Sequence, residues 1–409
     1  MTGMIEDLDV SMRVRGIDGI VGYGESTLAD PDLTYVVGGA LARGGLYFKK
    51  YGRAPLLVVS NLDYGSAKSS GKVKRIQTLT QWGFEKLQKK HPERCEATAR
   101  LVATILRHEG VRGKVVLFGR NDLAKGLRFA LILKRLGVQL VGECSPTLVE
   151  TARDTKEKHE LEYLRDVADR TGKIVNYVLG SLRNAKEKRG HLQLGRKRAT
   201  IGLIKSMIAL KLAEEELLAP EGTIFAAGAS GADPHNAGDS TAEIKKGKLI
   251  VFDIFPQAGN GYWTDLTRTF VVGRADSKAR KLFETVEQAQ GDALDYLRAG
   301  VTGEASMNRA CDVIERAGFQ TLRQFYTGKK KNITSGFIHS LGHGVGLTIG
   351  EPPYLSFNSR EPLRASEVVT VEPGVYLPGY GGVRIEDTVL IKSKSIENLV
   401  HVGKELELA

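Results

Sequence analysis

Along the chain, compact apolar runs alternate with amphipathic stretches until the pattern changes near residue 150. Residues 56–60, 114–119 and 138–141 have the length and composition of strands, while 97–108 and 123–136 carry helical spacing. That alternation predicts an α/β domain, a layered sheet with covering helices. Its polar residues form no convergent chemical pattern, which suits a supporting or substrate-gating role. At 150–158 the chain turns polar. Then Leu161, Leu164, Val167, Ala168, Ile174, Val175, Val178 and Leu182 recur on one face of a long helix. The domain boundary is expected there, dividing the chain into 1–153 and 154–409. A second helix is expected over 201–218, stopped by Pro220 and Gly222. Beyond it, short strands rich in Gly, Pro and β-branched residues alternate with two helices near 277–298 and 305–317.

Composition agrees with this picture. A chain of 409 residues, 42% hydrophobic and 26% charged, is long enough for two packed cores. No apolar run reaches the length of a membrane span, and the longest, near 249–254, is broken by Asp253. The start, MTGMIEDLDV, carries acids and lacks an apolar centre, so a secretory signal is not expected. Cys95, Cys144 and Cys311 are too few and too dispersed for a disulfide framework or a thiolate metal site, so a reducing cytoplasm is expected. The net charge of +11 raises nucleic acid as a partner. Yet the basic residues fall mainly in 186–198 and 329–331, without a zinc finger, an aromatic RNA-binding strand or a helix-turn-helix. A solvated basic surface is the expectation, with neither nucleic acid nor membrane as partner.

Every suggestive acid and histidine lies in the second part. In KLIVFDIFPQAGNGYWTDLTRTFVV, Asp253 ends one apolar strand and Asp265 opens another, across a Gly-containing turn. A buried aspartate in such a run is costly without a compensating cation, and two joined by a hairpin can converge on one. The plainer reading of each is a turn cap or a partner for Arg268. In HSLGHGVGLTIGEPP, His339 and His343 stand four apart, but Ser340 occupies the position where a helical zinc motif needs Glu. Gly342, Gly344 and Gly346 argue for a strand-loop passing close to another element or a ligand. In VVTVEPGVYLPGYGGVRIEDTVLI, Glu372 ends a β-branched strand, and Arg384 and Glu386 share a face of the next by the period of two. An ion pair between those two is the plainer alternative.

Together these segments offer four carboxylates and one imidazole from neighbouring strands. Oxygen-rich ligation with one nitrogen suits Mn²⁺, Co²⁺, Fe²⁺ or Zn²⁺, and the negative charge matches two divalent ions bridged by a hydroxide. A pair of that kind lowers the pKa of the bridging water and polarises a carbonyl, so hydrolysis follows.

YWTDLTRTF, GHGVGL, TVEPGVY and GGVRIED, in that order, resemble the pita-bread metallopeptidases: methionine aminopeptidase, Xaa-Pro aminopeptidase and Xaa-Pro dipeptidase. The likeness runs from about 155 to 402 and implies an α+β pita-bread (creatinase/aminopeptidase) catalytic domain. An α/β domain ahead of it is similar to the proline-directed branch and to creatinase, which lacks the metal site. The resemblance implies that Asp253 chelates one metal, that His343 and Glu372 bind the other, and that Asp265 and Glu386 bridge both. Glu372 would also handle the proton of the nucleophilic water. ASGADPHNAG resembles the segment carrying the family's substrate histidine, here His235. His235 and His339 would act in catalysis and, with Arg384, contact the substrate. The implied activity is that of a metallopeptidase, an exopeptidase hydrolysing the Xaa-Pro bond of peptides or dipeptides through a metal-bridging hydroxide. Two divalent ions, Mn²⁺ foremost with Co²⁺, Zn²⁺ or Fe²⁺ as alternatives, a peptide substrate and a homodimer are implied as well. Hydrolysis of another amide or a phosphoester, or binding without catalysis, are the alternatives.

This chain departs from the pattern in three places. Gly350 stands where the family has a histidine that contacts the substrate carbonyl, leaving Glu351, Thr348 or water as substitutes. The connection from Asp253 to Asp265 is one residue longer than usual, consistent with a looser hairpin at 259–261. Residues 184–198 look like a basic elaboration of the helical region.

Overall fold

A computed structural model describes residues 4–39, 42–70 and 72–408, so the first three residues and the last one of the two expected domains lie outside the described residues. The chain forms two compact units, Met1–Arg153 and Asp154–Ala409.

In the first unit, a six-stranded mixed sheet runs in the order Arg75–Thr78, Leu56–Val59, Leu46–Lys50, Gly19–Tyr23, Lys114–Phe118, Gln139–Val141. Gly19–Tyr23 pairs parallel with Lys114–Phe118 and antiparallel with Leu46–Lys50. Helices Arg94–His108 and Leu123–Arg135 bury Leu101, Val102, Ile105, Ile132 and Leu133 in a core shared with Val21, Phe48 and Val58. Three of the six strands match the apolar runs in the sequence. The others escape that reading for local reasons. GIVGY has glycine at two of five positions. LYFKK ends in two lysines, and Lys49 is buried only because Asp9 meets its ammonium at 2.7 Å. RIQT is a half-exposed edge strand with little apolar content.

The second unit opens with the helix Lys158–Arg183, whose first turn is closed by a reciprocal capping box between Glu157 and Glu160. All eight apolar positions predicted for its inner face are buried. The next helix, Ile201–Glu214, is capped by the Thr200 hydroxyl and is shorter than expected. Glu216 takes a left-handed φ of 53°, and Leu217–Leu218 leave the helix to pair with Gln257–Ala258. Between the two helices, the basic stretch folds as an antiparallel three-stranded meander, Lys186–Lys188, His191–Leu194 and Lys197–Arg198, rather than as helix.

Two sheets carry or flank the five candidate ligands. One orders Thr223–Ala227, Ile250–Ile254, Leu266–Val272 and Glu407–Leu408. The other orders Ile349–Leu355, Gly342–Val345, Val368–Val371, Asp387–Ile391 and Ile396–Asn398. Ile250, Phe252 and Ile254 point into the core made with the first two helices. The period of two then sends Asp253 to the opposite face of its strand. Helices Ser277–Tyr296 and Gly303–Arg316, capped by Asp276 and Thr302, build a second core with Val369, Val371, Val375, Val383 and Val389.

Candidate metal centre

Asp253 is the penultimate residue of Ile250–Ile254 and lies opposite Thr267 in the antiparallel pair with Leu266–Val272. Asp265 stands immediately before that second strand, where its backbone oxygen accepts from the Thr388 hydroxyl at 2.8 Å. The longer connection between the two acids closes as a tight turn, with Gly261 at φ +92° and Ala258 N–H donating to Tyr262 O at 2.8 Å.

His343 lies in Gly342–Val345, a strand and not a helix, as its glycines foretold. A Cβ on Gly342 would sit 2.0 Å from Thr370 O, and one on Gly344 2.3 Å from Pro352 O, so only glycine lets the neighbouring strands close around the imidazole. Nδ1 of His343 donates to Gly344 O at 3.1 Å, which leaves Nε2 as a lone-pair donor. That atom is 3.6 Å from Asp265 Oδ2 and 3.5 Å from Glu372 Oε1.

Glu372 follows Val368–Val371 directly, held by its N–H on Leu341 O at 2.8 Å. The segment expected to be one strand carrying both Arg384 and Glu386 is instead two. Gly381–Arg384 pairs with Gly374–Leu377, Asp387–Ile391 joins the five-stranded sheet, and Glu386 sits in the break between them. Glu386 accepts from the Thr267 hydroxyl at 2.8 Å. Asp265, His343 and Glu386 each offer one ligand atom within 4.8 Å of the others. Glu372 borders this group through His343, and Asp253 lies near enough for its charge to raise the pKa of both Asp265 and Glu386.

Arg384 does not pair with Glu386. Its Nη2 meets Asp253 Oδ2 at 2.5 Å, Nε donates to the Thr267 hydroxyl at 3.1 Å, and Nη1 donates to the Tyr376 phenol at 2.9 Å. The Tyr376 phenol in turn lies 3.0 Å from His339 Nε2, and His339 Nδ1 donates to Ser340 O at 2.7 Å. An Arg384–Tyr376–His339 chain therefore borders the acids. Burial, reinforced by the nearby Arg384 cation, pushes the His339 pKa down to about 3, so the imidazole is neutral. Nothing in the sequence pattern singled out Tyr376 or Thr267; the fourth position after Glu372 in TVEPGVY was the one available cue for the tyrosine.

One guanidinium thus faces four carboxylates inside the protein. Burial first, and then the charges of Glu386, Asp253 and Glu372, hold the Asp265 carboxyl well above its ordinary pKa. Glu386 is displaced in the same direction by burial and by Glu372 and Asp253. Glu372 is raised to about 8, burial outweighing the attraction of Arg384. Among the described residues, Asp253 Oδ1, Asp265 Oδ1 and Glu386 Oε1 are buried without any hydrogen-bond donor. Orphaned buried carboxylate oxygens are rare and costly, and divalent cations are the partners that satisfy several at once. The donor set therefore fits a metal centre.

All five of these residues, with His235, His339 and Arg384, line a single cavity of about 730 Å³. His235 is exposed within it and Arg384 is buried at its floor. Ile224, Phe255, Ile338 and Ile349 give the walls an apolar character. Gly350 also lines the cavity, at φ +77° with open space where a Cβ would be. Neither substitute suggested for the missing histidine is among the described lining residues, and Glu351 is turned away onto Lys156 at 2.7 Å.

The sequence profile of metallopeptidase family M24 matches residues 162–393, more than half of the chain. An Xaa-Pro dipeptidase of Pyrococcus furiosus is 32% identical over 259 residues, 63% of this chain and 66% of that protein. A putative Xaa-Pro aminopeptidase of Mycoplasma genitalium is 37% identical over 174 residues, 42% of this chain and 44% of that one. The chain thus aligns with slightly under two thirds of the first relative and under half of the second. In three dimensions the likeness is longer. An Xaa-Pro dipeptidase from Bacillus anthracis superposes with a TM-score of 0.77 at 23% identity, covering 99% of this chain and 98% of the other. A prolidase from Pyrococcus furiosus superposes at 0.72 with 25% identity, covering 97% and 100%. The fold is the α/β plus pita-bread arrangement that the sequence motifs implied. With the profile spanning the strands that carry all five candidate ligands, the chain belongs to metallopeptidase family M24.

Proposed function

We propose that this chain is an Xaa-Pro exopeptidase, acting on peptides or dipeptides, with 154–409 as its catalytic domain and 1–153 as a creatinase-like N-terminal domain. The observation that carries the reading is the convergence of Asp253, Asp265, His343, Glu372 and Glu386 on one cavity, with three of their buried oxygens lacking donors. The names borne by its relatives in the family support the proline specificity. In this reading Asp253, Asp265, His343, Glu372 and Glu386 would hold the divalent ions between them. Bound there, the ions supply an acidified water and a polarised carbonyl.

The chain's own groups do the rest. Glu372, beside His343 in the cavity, would take the proton of the attacking water and pass it on to the leaving amine. His235 and His339 contact the substrate from the cavity wall. Arg384, anchored on Asp253 and Tyr376, fixes the floor on which the peptide rests. Manganese is the proposed metal, on the strength of the oxygen-rich donor set. A cytoplasmic location is supported by three free cysteines, and a homodimer is proposed on the family resemblance alone.

A peptide panel assayed with Mn²⁺, Co²⁺ and Zn²⁺ tests the whole reading. Release of the residue before proline from Xaa-Pro or Xaa-Pro-Yaa, dependent on added metal, is expected. Cleavage that ignores proline, or none with any of the three metals, overturns it.

A further inference from the structure

Away from the cavity, a second buried charge cluster ties together three segments distant in sequence. Lys156 and Glu351 form an ion pair at 2.7 Å with side chains only 2% and 3% exposed. The Lys156 ammonium also donates to Asp154 O at 3.3 Å, and the other Glu351 oxygen accepts from Thr348 N–H at 3.1 Å. Gly346 makes the pair sterically feasible, because a Cβ there would lie 2.3 Å from Glu351 Oε1 and 3.0 Å from Lys156 Cε. Gly346 O accepts from Trp263 N–H at 2.9 Å, two residues before Asp265. Beside it, the Tyr262 hydroxyl donates to buried Glu160 at 2.7 Å, on the first turn of the long helix. The helix start, the turn leading into Asp265 and the turn leaving His343 are pinned to one another. None of Lys156, Glu160, Tyr262 or Glu351 is among the described residues lining the cavity, but Ile349 and Gly350, carried by the pinned turn, are.

We propose that the Lys156–Glu351 pair is a positioning device for the substrate. It holds the wall formed by Ile349 and Gly350 at a set distance from the carboxylate cluster, and so determines how the peptide seats in the cavity. A buried pair is suited to this. Removing one partner strands the other charge, which can be relieved only by moving the turn toward water. The inference rests on the cavity being the peptide site proposed above.

Lys156→Met tests it against the neutral double variant Lys156→Met/Glu351→Gln. The single variant is expected to raise KM for an Xaa-Pro-Yaa peptide about tenfold while the Mn²⁺ affinity measured by calorimetry changes by less than about threefold. Neutralising Glu351 in the double variant is expected to recover most of the KM, even if the melting temperature stays low. A purely structural pair would instead lower the melting temperature and leave KM per folded molecule unchanged, and that outcome overturns the proposal, as does failure of the double variant to recover. Should Lys156→Met not fold, Glu351→Gln alone is expected to raise KM about threefold, and an unchanged KM counts as refutation. If the wild-type chain cleaves no peptide, the proposed function has failed. Amide hydrogen exchange then decides the positioning claim: faster exchange at Thr348 and Gly350 in the variant supports it, and equal exchange refutes it.

Discussion

Glu386 and Asp387 are neighbours in the chain and almost equally buried, at 1% and 0% exposure, yet they occupy opposite electrostatic worlds. Asp387 meets Arg268 Nη2 at 2.7 Å on one oxygen and Lys404 Nζ at 2.9 Å on the other. Burial alone would raise its pKa, but these two cations pull it below the ordinary aspartate value. Glu386 has a hydroxyl on one oxygen, nothing on the other, and further carboxylates nearby that push its pKa up. Where a carboxylate serves the fold, the chain provides the cations itself. Where it withholds them, the missing positive charge has to come from outside. A single step along the chain, from the break after Gly381–Arg384 into the strand Asp387–Ile391, separates the two cases.

The widest break in this comparison is expected from Asp265→Ala. Peptidase kcat/KM should fall by at least about 10³-fold with loss of metal stoichiometry, measured by steady-state assay and elemental analysis. In the metal-free form the same variant should melt no lower than wild type, because a buried carboxyl with an unsatisfied oxygen has gone. Asp387→Asn should do the reverse. It strands Arg268 and Lys404 and costs about 3–5 kcal/mol in urea unfolding, while bound metal per folded chain stays unchanged. Metal loss in Asp387→Asn, or a large destabilisation of metal-free Asp265→Ala, would erase the distinction.

A pH series sharpens it further. The folded-state pKa of Glu372 is about 8 in the metal-free protein, above its usual 4.5, so folding takes up a proton between those values. Stability contributed by this group is therefore complete below about 4.5 and declines as pH rises toward 8. Asp387 has the opposite sign, its contribution being present above 3.8 and lost as pH falls through its depressed folded value. Unfolding of the metal-free protein at pH 5 and pH 8 should show the decline, and saturating Mn²⁺ should abolish it; a flat metal-free profile would contradict the shared burial of the cluster. The smallest effect is expected at Gly350. At φ +77° with free space beyond, Gly350→His should cost about 1–2 kcal/mol of backbone strain and lower the melting temperature by a few degrees. If the absent donor limits catalysis, kcat rises in the same variant; an unchanged kcat rules that limitation out.

Much of the fold was legible because periodicity reports burial directly. The apolar run before Asp253 is a strand with its aspartate facing away from the core, and the eight inward positions of Lys158–Arg183 are all buried. The glycines around His343 correctly excluded a helix, since Gly342 and Gly344 meet backbone carbonyls, and Gly346 the Glu351 carboxylate, that no Cβ could clear. Helix Ile201–Glu214 was overextended because Leu217 and Leu218 continue an apolar pattern that is in fact satisfied by a strand partner. Arg384 was legible as a residue near Glu386, but its ion pair with Asp253, 131 positions away, was not.

The sequence alone thus determined which stretches are apolar, which acids interrupt them, and which motifs a family would read as ligands. Tertiary structure decided which acid keeps a cation of its own and which does not. It also decided that Lys156 reaches Glu351 and that Tyr376 links Arg384 to His339. The reason is physical. Burial of apolar groups follows from a repeating local pattern, whereas pairing of polar groups depends on the register between distant strands, where a shift of one residue sends every side chain to the other face.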